Sequence, residues 1–91
     1  MFRDYRKLKV WQLSYELALD FVRLADSLPE KENYNLNSQI RRAGTSITVN
    51  IAEACSRKTR RSFLQFLEYS YGSGKELEVL LMMCRDLKYV D

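Results

Sequence analysis

Little in this chain interrupts a helix: its 91 residues include one proline and three glycines, and its apolar residues recur at steps of three and four. This pattern predicts three helices, which cover residues 10–28, 36–56 and 60–88. Pro29 ends the first helix, because proline restricts the residue before it and lacks an amide donor. Asn35 and Thr59 are expected to be the N-cap residues of the second and third helices. The β-branched residues of segment 45–51 raise a strand alternative, but no second strand is available to pair with it.

Three long helices with two short connections predict an all-α fold, an up-down antiparallel bundle in one domain over residues 1–91. The apolar stripes of the second and third helices are wide for three helices, so they need more covering surface than this chain supplies. A fourth helix or other subunits would provide that surface. A single core of this size leaves a narrow stability margin, which oligomerisation often supplements. We therefore expect exposed apolar surface on the second and third helices, and self-association.

Some residues are expected to serve packing or assembly: Trp11, Asn50, Glu53, Gly72 and Gly74. Gly72 and Gly74 lie inside the third helix, where glycine is costly, and they predict a close helix crossing or a mild bend. Gly44 predicts close approach of a helix to the second one. Asn50 lies at the edge of an apolar stripe, where a buried asparagine typically fixes register or oligomeric state.

Glu53 and Trp11 each have one main interpretation. Glu53 is the only acidic residue between Arg42 and Arg57, so we expect it to pair with a basic residue of another segment, such as residues 3–9. Trp11 belongs to an aromatic-rich N-terminal segment. We expect that segment to pack over the bundle, with stacking on unpaired bases as the alternative.

The composition points away from an enzyme. The chain has no histidine, which removes the commonest general base and the commonest metal ligand. The Gly72-Ser73-Gly74-Lys75 fragment is too short for a phosphate loop and does not follow a strand. We therefore expect a non-enzymatic protein with no metal and no cofactor. Cys55 and Cys84 fall on apolar faces, and no secretory signal or membrane-spanning stretch is present, so buried reduced thiols in the cytoplasm are expected.

Positive charge is concentrated in two blocks of the sequence. Residues 1–9 contain four basic residues against one acidic, and residues 41–61 contain six against one. Such clusters are typical of proteins that bind polyanions. The candidate contacts to RNA or DNA are Arg41, Arg42, Arg57, Lys58, Arg60 and Arg61. Arg60 and Arg61 fall in the first turn of a helix, where cations oppose the macrodipole and an anionic partner would reverse that cost. The alternative is a helix end that tolerates the cost.

Several blocks spread over the whole chain carry a resemblance to a known family. They are Arg6-Lys7-Leu8-Lys9-Val10-Trp11-Gln12, Ser38-Gln39-Ile40-Arg41-Arg42-Ala43, Ser46-Ile47, Asn50-Ile51-Ala52-Glu53, Phe63-Leu64, Phe66-Leu67, Gly72-Ser73 and Glu76-Leu77-Glu78. With these blocks the chain resembles the four-helix bundle protein family. Its members include the 23S rRNA-intervening-sequence proteins, and the accessory variability determinant protein of diversity-generating retroelements is a relative.

The resemblance implies a bacterial protein that forms an antiparallel four-helix bundle and assembles as a ring-like homopentamer. The retroelement relative binds nucleic acid and a reverse transcriptase through a basic surface. Together with the residues, this predicts a self-associating bundle that binds RNA or DNA. The alternative is a protein-interaction scaffold that binds a partner such as a reverse transcriptase without touching nucleic acid.

The chain departs from the family pattern at four places. Thr48 stands where the family often has proline, and Ala54 where it usually has glycine. Ser62 replaces the glutamate that would complete a capping box with Thr59. The family also continues well past Tyr89-Val90-Asp91, so we expect the fourth helix to be absent.

Overall fold

The computed structural model describes residues 4–91 and is all-helical over that range. This confirms the predicted fold class. The three helices are α1 (Lys9–Asp26), α2 (Leu36–Ser56) and α3 (Arg60–Asp86). Short 3₁₀ turns precede α1 and α2, at Tyr5–Lys7 and Glu30–Glu32.

The bounds of α2 match the prediction, whereas α1 and α3 each end two residues earlier than predicted. At the end of α1 the amide of Leu28 donates to the carbonyl of Ala25 at 3.2 Å, a tightened turn that Pro29 prevents from continuing. At the end of α3, Lys88 adopts a left-handed φ of 69°. The amide of Tyr89 then donates to the carbonyl of Cys84 at 2.8 Å, which closes a Schellman motif.

The two predicted N-caps behave differently. The Thr59 hydroxyl accepts a hydrogen bond from the amide of Ser62 at 3.1 Å, so Thr59 caps α3 as predicted. Asn35 does occupy the N-cap position of α2, but its side-chain oxygen accepts from the Gln39 amide group at 2.8 Å instead of capping the backbone. The start of α2 is therefore stabilised by a side-chain pair one turn apart.

The helix α2 is the centre of the bundle. Both α1 and α3 pack against it, and no Cα atom of α1 lies within 8 Å of one of α3. The shared core is formed by residues of all three helices and the first connection: Ala25, Leu28, Leu36, Ile40, Ala43, Leu77, Leu80 and Cys84. The buried residues of α1 are all small (Ser14, Ala18 and Ala25), whereas α2 buries leucine and isoleucine. Helix α1 is thus held by close approach more than by large side chains.

Gly44 provides that close approach, as predicted. A Cβ atom at this position would lie 3.1 Å from the Cβ of Phe21 in α1, which is tighter than ordinary van der Waals contact. No helix of residues 4–91 makes the predicted close crossing at Gly72 and Gly74, because a Cβ atom at either position would meet nothing within 4 Å. These two glycines lie on parts of α3 that no other helix of residues 4–91 approaches.

The exposed apolar surface also differs from the prediction. It was expected on α2 and α3, but large exposed apolar side chains belong mainly to α1 and α3, with Leu13 57% and Tyr71 69% exposed. In α2 only Val49 belongs to this group. The reason is topological: α2 lies between two helices that cover it on both sides, whereas α1 and α3 are each covered on one side.

Candidate nucleic-acid interface

The fold brings the two basic blocks of the sequence to one end of the bundle. Since α1 and α3 both run antiparallel to α2, their N-termini lie beside the C-terminus of α2. Seven cationic residues gather there, and we call this set the basic end: Arg6, Lys7, Lys9, Arg57, Lys58, Arg60 and Arg61. All except the half-buried Arg57 are exposed. Arg3, the remaining cation of the first block, lies outside the described residues.

Most cations of the basic end are electrostatically uncompensated. Arg6 binds Asp4 at 2.9 Å, and this hydrogen bond holds the pKa of the Asp4 carboxyl below its usual value. Arg57 donates to Glu53 at 3.2 Å, and its guanidinium lies 4.8 Å from the ring centroid of Phe66. The other five basic residues form no ion pair with any residue from position 4 to position 91. Their charge is therefore available to an anionic partner.

The N-terminus of α3 adds to the positive potential at this end. Arg60 and Arg61 are its first two residues, and no acidic residue lies in its first turn. The unsatisfied amides of a helix start carry partial positive charge, so these two cations sit where charge of their own sign is disfavoured. Beside them Ser56, Lys58 and Ser62 help to line a shallow cleft of about 340 Å³. An anion at this position would relieve the repulsion.

Arg41 and Arg42 do not join the basic end. They lie about 22 Å along α2 from Arg57, at a rise of about 1.5 Å per residue. Arg41 forms an ion pair with Asp26, and Arg42 forms one with Glu76. These pairs connect α2 to α1 and to α3, so both guanidiniums are engaged within the bundle. The structure thus divides the six predicted contact residues into a group of four and a separate pair.

Among the described residues Glu53 pairs within its own helix, and not with another segment as predicted. The Glu53 carboxylate accepts a hydrogen bond from Arg57, which lies one turn further on and is the C-cap residue of α2. An i,i+4 spacing brings these two side chains together without any tertiary contact. In the other segment, Arg6 is bound by Asp4.

Asn50 acts within a polar link between α2 and α3. It is half-buried, and its amide group donates to the carbonyl and the hydroxyl of Ser46, both at 2.8 Å. The Ser73 hydroxyl of α3 donates to the Ser46 hydroxyl at 2.9 Å, and the Ser70 hydroxyl donates to the carbonyl of Ile47 at 3.0 Å. The serines therefore join the two helices directly, and Asn50 positions one of them. The positions of these serines in the sequence do not indicate that they join two helices.

Trp11 forms part of an aromatic wall beside the basic end. Its ring stacks on Tyr15 with centroids 5.1 Å apart, and it meets Tyr5 edge-on at 4.9 Å. The first 3₁₀ turn folds back to place Tyr5 there, as expected for a segment that packs over the bundle. The three rings face Val49 and Ala52 of α2 across a cleft of about 430 Å³, which we call the aromatic cleft.

A second concave surface runs between α1 and α3, over α2. This apolar groove has a volume of about 400 Å³. Its apolar lining includes Val10, Leu13, Leu17, Ile47, Ile51 and Tyr71. Gly74 also lines it, with open space where a side chain would be. The groove lies where α1 and α3 stay apart, with no Cα atom of one within 8 Å of the other, and Ile47 and Ile51 of α2 form its floor.

From position 4 to position 91, no three Cys, Asp or Glu side chains converge to form a metal site. In the same part of the chain no helix has the length and apolar character needed to cross a bilayer.

The fold and its surfaces define a class of protein: a small all-α antiparallel bundle with a cluster of seven cations at one end and an open apolar groove between its outer helices. Comparison with protein families matches residues 6–91 to the 23S rRNA-intervening sequence protein. The chain belongs to this family, which confirms the resemblance noted from its sequence blocks. A comparison with curated proteins finds no match.

Proposed function

We propose that this protein is a non-enzymatic, self-associating helical bundle of the cytoplasm that binds RNA or DNA through its basic end. The observation that carries the proposal is the convergence of two sequence blocks into one cationic surface, on which five basic residues have no ion-pair partner among residues 4–91. A nucleic acid that meets such a surface releases condensed counterions, and this supplies most of the affinity of non-specific binding.

The contacts differ in their expected strength. Lys58, Arg60 and Arg61 are exposed beside the N-terminus of α3, so a phosphate there gains from their charges and from the helix amides. Arg41 and Arg42 contribute less, because a phosphate has to compete with the carboxylates that already bind them. The basic end is therefore the main contact surface, with the other two arginines peripheral to it.

Salt titration tests the proposal. The affinity for a fluorescently labelled single-stranded oligonucleotide is measured by anisotropy at several salt concentrations. The logarithm of the association constant should fall linearly with the logarithm of salt concentration, by about 0.7 per phosphate contact for a single strand. Absence of binding at low salt would refute nucleic-acid binding by this surface.

Self-association follows from the apolar groove, which further copies of this chain would cover. Large exposed apolar side chains flank it on α1 and α3, and Gly74 leaves room for a helix to approach closely. A homopentamer is the assembly that the family resemblance implies. Light scattering should report an oligomer, and Leu13→Glu in the groove should dissociate it. Tyr34→Glu, in the exposed first connection, should not. A monodisperse monomeric wild type would refute self-association.

The apolar groove also favours a second candidate function, a scaffold that binds a protein partner such as a reverse transcriptase. In that case Arg60→Glu with Arg61→Glu leaves capture of the partner unchanged, and the protein binds no oligonucleotide. Loss of capture in the Leu13→Glu variant would identify the groove as the contact surface.

A further inference from the structure

We infer that the aromatic cleft receives an unpaired base of a single-stranded nucleic acid while the neighbouring basic residues hold its phosphates. This inference rests on the proposed function and assigns it a substrate class, single strands over duplexes. Five features of the aromatic cleft support the inference: its aromatic wall, its polar floor, its position beside the cations, its size, and the charge that surrounds it.

The aromatic wall suits a stacked base. Tyr15 is 45% exposed although it stacks on Trp11, so ring surface is available at the cleft. Tyr5 supports Trp11 edge-on and fixes its orientation. Stacking on aromatic side chains is the general way in which proteins hold bases of single strands, and a duplex does not offer a free base face. The volume of about 430 Å³ lies within the range of small-ligand sites.

The floor of the aromatic cleft supplies polar groups. Thr48 lines the cleft and is 7% exposed, and its hydroxyl has no hydrogen-bond partner in residues 4–91. An unsatisfied buried hydroxyl is costly, and rotation of the Thr48 side chain toward the cleft would let a base with a matching polar edge offset that cost. The Glu53 carboxylate also lines the cleft, and within residues 4–91 its one side-chain donor is Arg57, which leaves acceptor capacity for an amino group of a base.

The position of the cleft connects a base site to phosphate sites. Ser56 lines both the aromatic cleft and the shallow cleft formed with Arg57, Lys58 and Thr59. Its hydroxyl donates to the carbonyl of Glu53 at 2.7 Å. A strand that places a base against the aromatic wall therefore has its backbone next to the cations of the basic end.

Charge decides between a nucleotide and an organic cation. Aromatic rings with a carboxylate also suit a quaternary ammonium or a similar cation. Here, however, seven cationic side chains surround the site against Asp4 and Glu53, so a cation is repelled on approach. A base carried on an anionic backbone satisfies both the rings and the surrounding charge.

Trp11 is the only tryptophan of the chain, so its fluorescence reports directly on the aromatic cleft. Two single-stranded DNA oligonucleotides of equal length are titrated at low salt, one with normal bases and one composed of abasic sites. The first should quench Trp11 and bind roughly 5- to 150-fold more tightly, the range expected for stacking of one base. The abasic strand should bind through the basic end without quenching.

Tyr15→Leu should reduce the affinity for the base-bearing strand by about fivefold or more and leave the abasic strand unaffected. Leucine favours a helix at least as well as tyrosine, so the fold should persist, and circular dichroism confirms this. Tyr34→Leu is the matched control, because Tyr34 is 99% exposed at the opposite end of the bundle. It should bind both strands as the wild type does.

The outcomes separate this inference from the proposed function. Equal affinity for both strands with unchanged Trp11 fluorescence would overturn the base site and leave phosphate binding by the basic end intact. An unaltered Tyr15→Leu variant would overturn it equally. Absence of binding to either strand would overturn the proposed function itself.

Discussion

Replacing Arg60 and Arg61 together by glutamate should separate the stability of this protein from its capacity to bind nucleic acid. The two residues are exposed, begin α3 and form no ion pair with any residue from Asp4 onward. Their replacement therefore breaks no ion pair among the described residues. The change reverses the sign of charge at a helix N-terminus, where acidic residues are favoured.

The expected gain in stability follows from the helix dipole. A charge in the first turn contributes about 0.3–1 kcal/mol, and reversal of its sign doubles the effect. At two exposed positions, with values near the lower limit, the free energy of unfolding should rise by about 1 kcal/mol. For a domain of this size that corresponds to an increase of about 4–8 °C in melting temperature.

The expected loss in binding follows from the phosphate contacts. Two lost contacts to a single strand lower the slope of log affinity against log salt by about 1.4. The new carboxylates also repel the backbone, so affinity at low salt should fall further. Thermal melting and anisotropy titrations at several salt concentrations measure the two effects on the same preparation.

A matched control keeps the net charge of the variant. Lys31→Glu with Lys88→Glu also changes the charge from +3 to −1, but at the opposite end of the bundle. It should reduce binding only modestly. A variant at Arg60 and Arg61 that keeps the wild-type salt slope would refute the basic end as the binding surface. A lower melting temperature would refute the helix-dipole argument.

Further expectations concern stability. Gly44→Ala should destabilise the protein by about 1 kcal/mol net, since overpacking against the Phe21 Cβ costs more than the helix propensity gained. Gly72→Ala should stabilise it by about 1 kcal/mol, because its added Cβ meets open space. Chemical denaturation compares the two, and equal effects would contradict the assigned close approach. Tyr89→Phe removes a 2.7 Å hydrogen bond to Glu32 that lowers the pKa of this carboxyl below its ordinary 4.5. A carboxyl whose pKa is lower in the folded than in the unfolded state stabilises the fold at pH values above its unfolded pKa. The loss of melting temperature in Tyr89→Phe should therefore be present at pH 7 and shrink as the pH falls below about 4.5. A deficit that does not depend on pH would contradict this linkage.

The helices were predictable because apolar periodicity and a single proline are local signals. The starts of α2 and α3 and the end of α2 were predicted to the residue, whereas the ends of α1 and α3 were each placed two residues too late. The left-handed conformation of Lys88 and the tightened turn at Leu28 depend on local backbone hydrogen bonds that residue identity does not indicate. Exposed apolar surface was predicted correctly on α3 but was placed on α2 instead of α1, because stripe width does not reveal which helix lies in the centre.

In the candidate site, too, features that are local in sequence were predictable and features that depend on tertiary contacts were not. The cationic blocks were visible in the sequence, but their union at one end depends on helix directions. Arg41 and Arg42 were grouped with the basic end because their partners, Asp26 and Glu76, are distant in sequence. The serine link between α2 and α3 carried no sequence signal, since serine is equally common on solvated faces.

The small buried residues of α1 have a consequence for how this protein folds. Apart from Phe21, which packs partly buried against the core, the buried residues of α1 are only serine and alanine, whereas α3 buries Leu77 and Leu80, so α1 is the less firmly attached of the two outer helices. Its larger apolar side chains, such as Val10 and Leu17, become buried only if something fills the groove. Ordering of α1 and assembly are then a single linked equilibrium. The protection of α1 amides against hydrogen exchange would rise with protein concentration, as mass action requires.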